Sequence, residues 1–240
     1  MDPTVVETYQ TLNSPPFEGG DGAHGRKSGS AGVVPLLMVG FNRRFSPALQ
    51  AVYAAVKNRR SPVMINYRVN ARYIPLDHWV HTAEGGGRNL GEACHMYDVF
   101  RFLSGTHVDR ISATPIHPGD LPYNRNDNFV ATISYADGSV GTLTYTALGP
   151  NDGLPKERIE IFCDGEAYIV DDFRTVTRSS NNQTLWQSNE ADKGHFEELS
   201  RFGDAISNGG SAPIPFEEII ETSAVALYVE DLLHGRRVEN

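Results

Sequence analysis

A chain of 240 residues, 40% of them hydrophobic, suffices for one domain of about 200 residues with a real core plus a tail, and two domains would be cramped. Its 21 basic and 30 acidic residues give a formal charge of −9, which argues against nucleic acid or an anionic membrane as partner. Only two cysteines occur, Cys94 and Cys163, too few for a disulfide framework and in keeping with a reducing compartment.

The first residues, Met1, Asp2, Pro3, Thr4, Val5, Val6 and Glu7, form neither a basic n-region nor an apolar h-region, so a cytoplasmic location is expected. Residues 1–32 are rich in Gly, Pro, Ser and charge and lack the apolar content to order themselves. They contain a literal GxGxxG from Gly20 to Gly25. A dinucleotide fingerprint needs a strand before it, a helix after it and an acid about 20 residues on. None of that surrounds this one, which reads as a decoy.

Residues 34–41 read as a short buried strand. Ser46 and Pro47 make an N-cap and N1 pair, and Leu49, Val52, Tyr53 and Val56 follow at helical spacing. Next comes an alternating segment, with Ile65, Tyr67, Val69 and Ala71 on one face and Asn66, Arg68, Asn70 and Arg72 on the other. That pattern predicts a strand covered on one side only.

Asp77, His78, Trp79, Val80 and His81 then cluster imidazoles and a large aromatic on a predicted loop. Glycines 85, 86 and 87 feed a helix that carries Glu92, His95 and Asp98. Residues three apart on a helix are neighbours, so these three groups are expected to converge on one site. Apolar Leu90, Ala93, Met96, Val99, Phe100 and Leu103 cover the rest of the cylinder, which predicts burial. A buried ionisable group needs a partner, so His95 is either a core histidine satisfied by Asp98 or Glu92, or a working one.

Downstream, strands are predicted at 109–116, 128–135, 140–147, 158–163 and 167–173, with hairpin turns at Asp137-Gly138 and Asp164-Gly165. Two helices follow. Over 192–207, Phe196, Leu199, Gly203 and Ile206 are expected inward; over 215–234, Phe216, Ile219, Ile220 and Leu227 pack. His107, His117, His195 and His234 read as surface or capping residues.

Val39-Gly40-Phe41-Asn42-Arg43-Arg44-Phe45-Ser46-Pro47, then Tyr67-Arg68-Val69-Asn70, the Asp77–His81 cluster and GGGRNLGEACH resemble the C-terminal part of the Gfo/Idh/MocA oxidoreductases, across residues 34–238. The resemblance implies an α+β fold, an open and mainly antiparallel sheet with helices on one face, over 33–240. Residues 33–41 would then be an edge strand left over from a nucleotide-binding domain. The Glu-Lys-Pro signature of that domain has no counterpart, since the lysines are Lys27, Lys57, Lys156 and Lys193 and none precedes proline. A truncated chain that binds no NAD or NADP by itself is therefore expected.

The same resemblance implies a sugar or cyclitol substrate, with His95 acting on its hydroxyl. In most of the family an aspartate stands four residues before that histidine; here Gly91 does, with Glu92 one place later. Glu92 is the expected second catalytic group, and Arg43, Asn70, Tyr73, His78, Trp79, Gly86 and Asp98 are the expected substrate contacts. Two other readings stay open. One is a non-catalytic sugar-binding module or an oligomer formed through the polar sheet face. The other is zinc held by His78, His81, Glu92 and His95, because H-x₂-H and E-x₂-H supply ligand types that zinc accepts.

Overall fold

The computed structural model describes residues 36–236, so the 1–32 tail and its GxGxxG lie outside the described residues. Eight strands form one open sheet in the order β2-β3-β4-β1-β5-β6-β7-β8. They are β1 (Met64–Asn70), β2 (Val108–Pro115), β3 (Phe129–Tyr135), β4 (Val140–Thr146), β5 (Glu157–Cys163), β6 (Glu166–Asp171), β7 (Thr175–Arg178) and β8 (Gln183–Gln187). Every pairing is antiparallel except β1 with β4. The four helices are α1 (Pro47–Val56), α2 (Cys94–Ser104), α3 (His195–Asn208) and α4 (Phe216–Leu233).

Alternation in the strands decides which face is covered. Ile65, Tyr67 and Val69 of β1, Leu143 and Tyr145 of β4, and Ile159 and Ile161 of β5 are buried. They meet Leu49, Val52 and Val56 of α1, Met96, Val99, Phe100 and Leu103 of α2, and Val225, Ala226 and Val229 of α4 in one core. The opposite face carries Asn66, Arg68, Thr142 and Thr144, with Met64, Val130 and Phe162 exposed among them. This is the one-sided sheet that a period of two predicts.

Both predicted hairpins form. Asp164 and Gly165 take φ of 50° and 77°, the left-handed pair of a two-residue turn. The Ser46 side chain accepts from the Leu49 N–H and Pro47 opens α1, so that helix starts where its cap demands. Gly141 lets α2 lie close on the sheet: an added Cβ would stand 2.6 Å from the Phe100 ring. Gly141→Ala is expected to lower stability by about 1–3 kcal/mol through overpacking, read from the urea midpoint at unchanged slope.

Three expectations are corrected. Residues 36–41 form no strand; no neighbour among the described residues pairs with them, and an unpaired strand has no ladder to hold it. Phe41 instead packs with Phe45, Ile214 and Ile219 in a small second cluster. On α3, Phe196, Leu199 and Ile206 face outward at 84, 66 and 59% exposure, because this helix rests on the short 3₁₀ turn Asn42–Phe45 rather than on the sheet. On α4, Phe216 and Leu227 are likewise exposed, while Ile219, Thr222, Val225 and Val229 face inward. Strands β7 and β8 went unpredicted.

Candidate active site

The β1 strand and the α2 helix are joined by residues 71–93, which fold back over the end of the sheet. A short 3₁₀ helix, Trp79–His81, is followed by the glycine triplet. A Cβ on Gly85 would lie 2.6 Å from Val80 Cα, so glycine is what lets this turn sit on the 3₁₀ helix. Gly86 and Gly87 take φ of 68° and 74°, values that favour glycine. The chain then enters a π-helical turn, Asn89–Ala93, which runs directly into α2. Buried Asn89 anchors it, donating to the Ala226 carbonyl at 2.9 Å and to Glu230 at 2.8 Å while accepting from the Tyr97 hydroxyl at 2.8 Å. Such wide turns recur at functional sites.

Beside this turn lies a cavity of about 730 Å³. Gly40, Arg43, Trp79, Glu92, His95 and Lys156 line it, together with Arg88, Lys193, His195 and Glu198. The volume suits a small organic ligand.

Two carboxylates organise the cations around it. Glu92 accepts from Lys156 Nζ at 2.6 Å and from the Tyr145 hydroxyl, with Arg88 Nη2 at 3.5 Å and Arg43 Nη2 at 4.0 Å. Burial pushes this carboxyl up, but Lys156, Tyr145 and Arg88 outweigh it and hold it below its ordinary value. Glu157, behind the wall, is bound bidentately by Arg43 at 2.9 and 3.0 Å, by Lys193 Nζ at 2.5 Å and by the Tyr67 hydroxyl at 2.5 Å. Burial opposes its charge, and Arg43 and Lys193 bring the carboxyl down to about 2 all the same.

His95 stands apart from both. Its ring packs edge-on against Phe41 at 5.9 Å, and its Nδ1 is buried without a hydrogen-bond partner. Burial and the nearby Arg43 charge push the imidazole down to about 4. At neutral pH it is therefore an uncharged imidazole on the cavity wall, with its Nδ1 buried.

The expectation that Glu92 or Asp98 would fix this ring is corrected. Three residues of helix fall about 60° short of a full turn, so Asp98 lies about 120° round from Glu92. There, fully buried, it accepts from Arg44 at 2.9 and 2.5 Å. It is part of the core and not of the cavity wall.

Of the other anticipated contacts, Arg43 and Trp79 reach the cavity. Asn70 does not: it is wholly buried and donates to the Pro150 carbonyl at 2.8 Å. Tyr73 packs edge-on against Tyr123 at 5.7 Å, and His78 caps the 3₁₀ helix by accepting from the Val80 N–H at 3.3 Å. Gly86 opens on a separate hollow with His81, Asn126 and Glu230.

The zinc reading fails on placement. His81 pairs with Asp127 at 3.5 Å, away from His95, and among the described residues no group of three or more His, Cys, Asp or Glu is arranged to hold a metal ion. Lys156, Lys193, His195, Glu198 and Arg88 were not anticipated. They come from three separate stretches of chain, at 88, 156 and 193–198, and nothing local marks these stretches as meeting.

The sequence model of the GFO/IDH/MocA C-terminal domain matches residues 61–169. The uncharacterized oxidoreductase YrbE of Bacillus subtilis (strain 168) is 23% identical over 208 residues, covering 79% of this chain and 58% of its own length. Among solved structures, UDP-N-acetylglucosamine 3-dehydrogenase GnnA from Acidithiobacillus ferrooxidans superposes with a TM-score of 0.68 at 17% identity, over 84% of this chain and 62% of that one. GenD2 from gentamicin A biosynthesis, in complex with NAD, gives 0.62 at 16% identity, again over 84% and 62%. The chain thus spans about three fifths of the length of these relatives. The open sheet and its helix-covered face agree with the match over residues 61–169: that stretch is similar to the C-terminal domain of the GFO/IDH/MocA family.

Proposed function

We propose that residues 33–240 form the substrate domain of a nicotinamide-dependent oxidoreductase that acts on the CH–OH group of a sugar or cyclitol. The observation that carries this reading is His95: an imidazole, uncharged at neutral pH, on the wall of a cavity that also offers cations and an indole. Oxidising a secondary alcohol needs a group to take the hydroxyl proton, and histidine suits that step. Arg43, Arg88 and Lys156 supply hydrogen-bond donors for ring oxygens, and Trp79 an apolar face for the ring. Glu92 keeps Lys156 and Arg88 in place.

A nicotinamide dinucleotide, when bound, accepts the hydride. The residues described here do not suit its pyrophosphate, which favours a helix N-terminus rich in N–H groups and free of negative charge. The helix that starts at this cavity, α3, carries Glu197 and Glu198 in its first turn. The dinucleotide is therefore assigned to a nucleotide-binding domain, and the outward Phe196, Leu199 and Ile206 of α3, the helix whose His195 and Glu198 line the cavity, are the surface proposed to meet it.

The uncovered sheet face, with Met64, Val130 and Phe162 among threonines, is proposed to pair with a second copy of the chain. No helix among the described residues is long and apolar enough to cross a membrane, and a cytoplasmic setting is part of the same reading.

Reconstitution tests it. The chain alone is expected to give no turnover of UDP-N-acetylglucosamine or myo-inositol with added NAD or NADP. The chain joined to the part of GenD2 that it does not cover, GenD2 having been solved in complex with NAD, is expected to reduce the dinucleotide. Turnover by the chain alone, or none by the joined protein when each half is folded, would count against the proposal.

A further inference from the structure

Glu198 is an oddity in its helix. The outward positions of α3 include Phe196, Leu199 and Ile206, yet this carboxylate points inward and is only 4% exposed. Its Oε1 has no hydrogen-bond partner among the described residues. The cations nearest the cavity are engaged elsewhere, Arg43 and Lys193 on Glu157 and Lys156 on Glu92. Oε1 lies over the backbone at Gly40, 3.8 Å from where a Cβ would stand on that glycine. Burial, and then the charge of Asp98, raise the carboxyl to about 6. A fold gains nothing from an unpartnered buried carboxylate; it costs stability until something donates to it.

Two more orphan atoms belong to the same cavity wall, His95 Nδ1 and Arg88 Nη1. All three are buried: an imidazole nitrogen, a carboxylate acceptor and a guanidinium donor, each without a partner among the described residues. A hydroxyl both donates and accepts, so it is the kind of group that suits such a wall. An apolar ligand satisfies none.

We infer that Glu198 is a ligand-reading residue of this cavity, its carboxylate accepting a hydrogen bond from an O–H or N–H group of the molecule whose hydroxyl His95 addresses. This rests on the reading of the cavity as a substrate site and adds to it a residue that orients the ligand and selects for a donor group. The energy lost by leaving Glu198 unpartnered in the empty protein is recovered when the ligand binds. Strain held at a binding site at the expense of stability is a common trade.

The test uses the full chain with ¹³C-labelled glutamate carboxyls, with Glu198 assigned by its absence in Glu198→Gln. Myo-inositol and D-glucose offer hydroxyls alone, N-acetyl-D-glucosamine adds an amide N–H, and nicotinamide offers an amide without hydroxyls. The Glu198 signal is expected to move, and its titration midpoint to fall, with the probe that donates to it; which probe does so identifies the donor. Glu198→Gln is expected to melt at the same temperature as the native chain or higher, and to bind that probe about tenfold or more weakly.

A Glu198 signal unmoved by all four probes would overturn the inference, and so would a clear fall in melting temperature for Glu198→Gln, which would make the carboxylate part of the fold. Failure here is separable from failure of the proton-transfer reading. A shift at Glu198 alongside undiminished turnover in a His95 variant would retain the former and remove the latter.

Discussion

Replacing His95 by glutamine in the protein joined to a nucleotide-binding domain is expected to lower the rate of alcohol oxidation by about 10²–10⁴, the usual worth of a positioned acid–base group. The ring packs on the edge of Phe41 and lines the cavity, and its Nδ1 has no hydrogen-bond partner among the described residues. The variant should therefore stay folded and lose turnover while binding of the neutral probe changes little. A purely structural histidine would show the opposite, a lower melting temperature with activity kept in the folded fraction.

The pH dependence supplies a second reading of the same variant. The ring has a folded value near 4 against an ordinary 6.5, so the unfolded chain takes up the proton first. Stability contributed by the neutral ring is whole above pH 6.5 and is lost as pH falls toward 4. His95→Gln should show a shallower loss of stability across that window than the native chain. Native turnover should hold down to about pH 4.5 and fall as the imidazole protonates. An acid limb centred near 6.5 would place His95 in water and not on the wall described here.

Legibility in the sequence followed the range of the interaction. Elements set by local rules were readable: the Ser46-Pro47 start of α1, the alternation of β1 and the Asp164-Gly165 turn each depend on residues within a few positions. The helical spacing of Phe196, Leu199 and Ile206 was just as regular, yet that face points outward. Periodicity says that a helix has two faces and not which one is covered; that depends on where the helix docks. Strands β7 and β8 are short, four and five residues, and hold their place by pairing with β6 and each other, a signal that no short window contains.

The site divides the same way. His95 and Glu92 were visible because they share one turn of helix after a glycine triplet. Arg43 and Trp79 reach the cavity as expected, whereas Asn70 and Asp98 are buried in the core, Asn70 donating to the Pro150 carbonyl and Asp98 accepting from Arg44. The groups that went unseen, Lys156 with Glu92 and Lys193 with Glu157, are 64 and 36 residues apart in the chain. Only the closing of the sheet and of the 71–93 segment brings them together.

Glu157→Gln is expected to be the most damaging single change to the fold. The carboxylate is fully buried and receives Arg43 bidentately, Lys193 and the Tyr67 hydroxyl. An amide of equal size keeps one acceptor but no charge, and leaves the Arg43 guanidinium, itself 5% exposed, with only the more distant Glu92 carboxylate at 4.0 Å. Removing one partner of a buried pair typically costs about 3–5 kcal/mol, a large share of the roughly 5–15 kcal/mol that holds a domain together.

The native chain should reveal the same carboxylate on acidification. Its folded value is near 2 against an ordinary 4.5, so this stabilisation is complete above pH 4.5 and is lost as pH falls toward 2. Denaturant midpoints measured between pH 7 and pH 2.5 should drop through that interval in the native chain and change less in Glu157→Gln. A variant as stable as the native chain would mean that Arg43 is held by something other than Glu157. The cationic wall beside His95 would then need a different foundation, because Arg43 and Lys193 both reach the cavity from this one buried anchor.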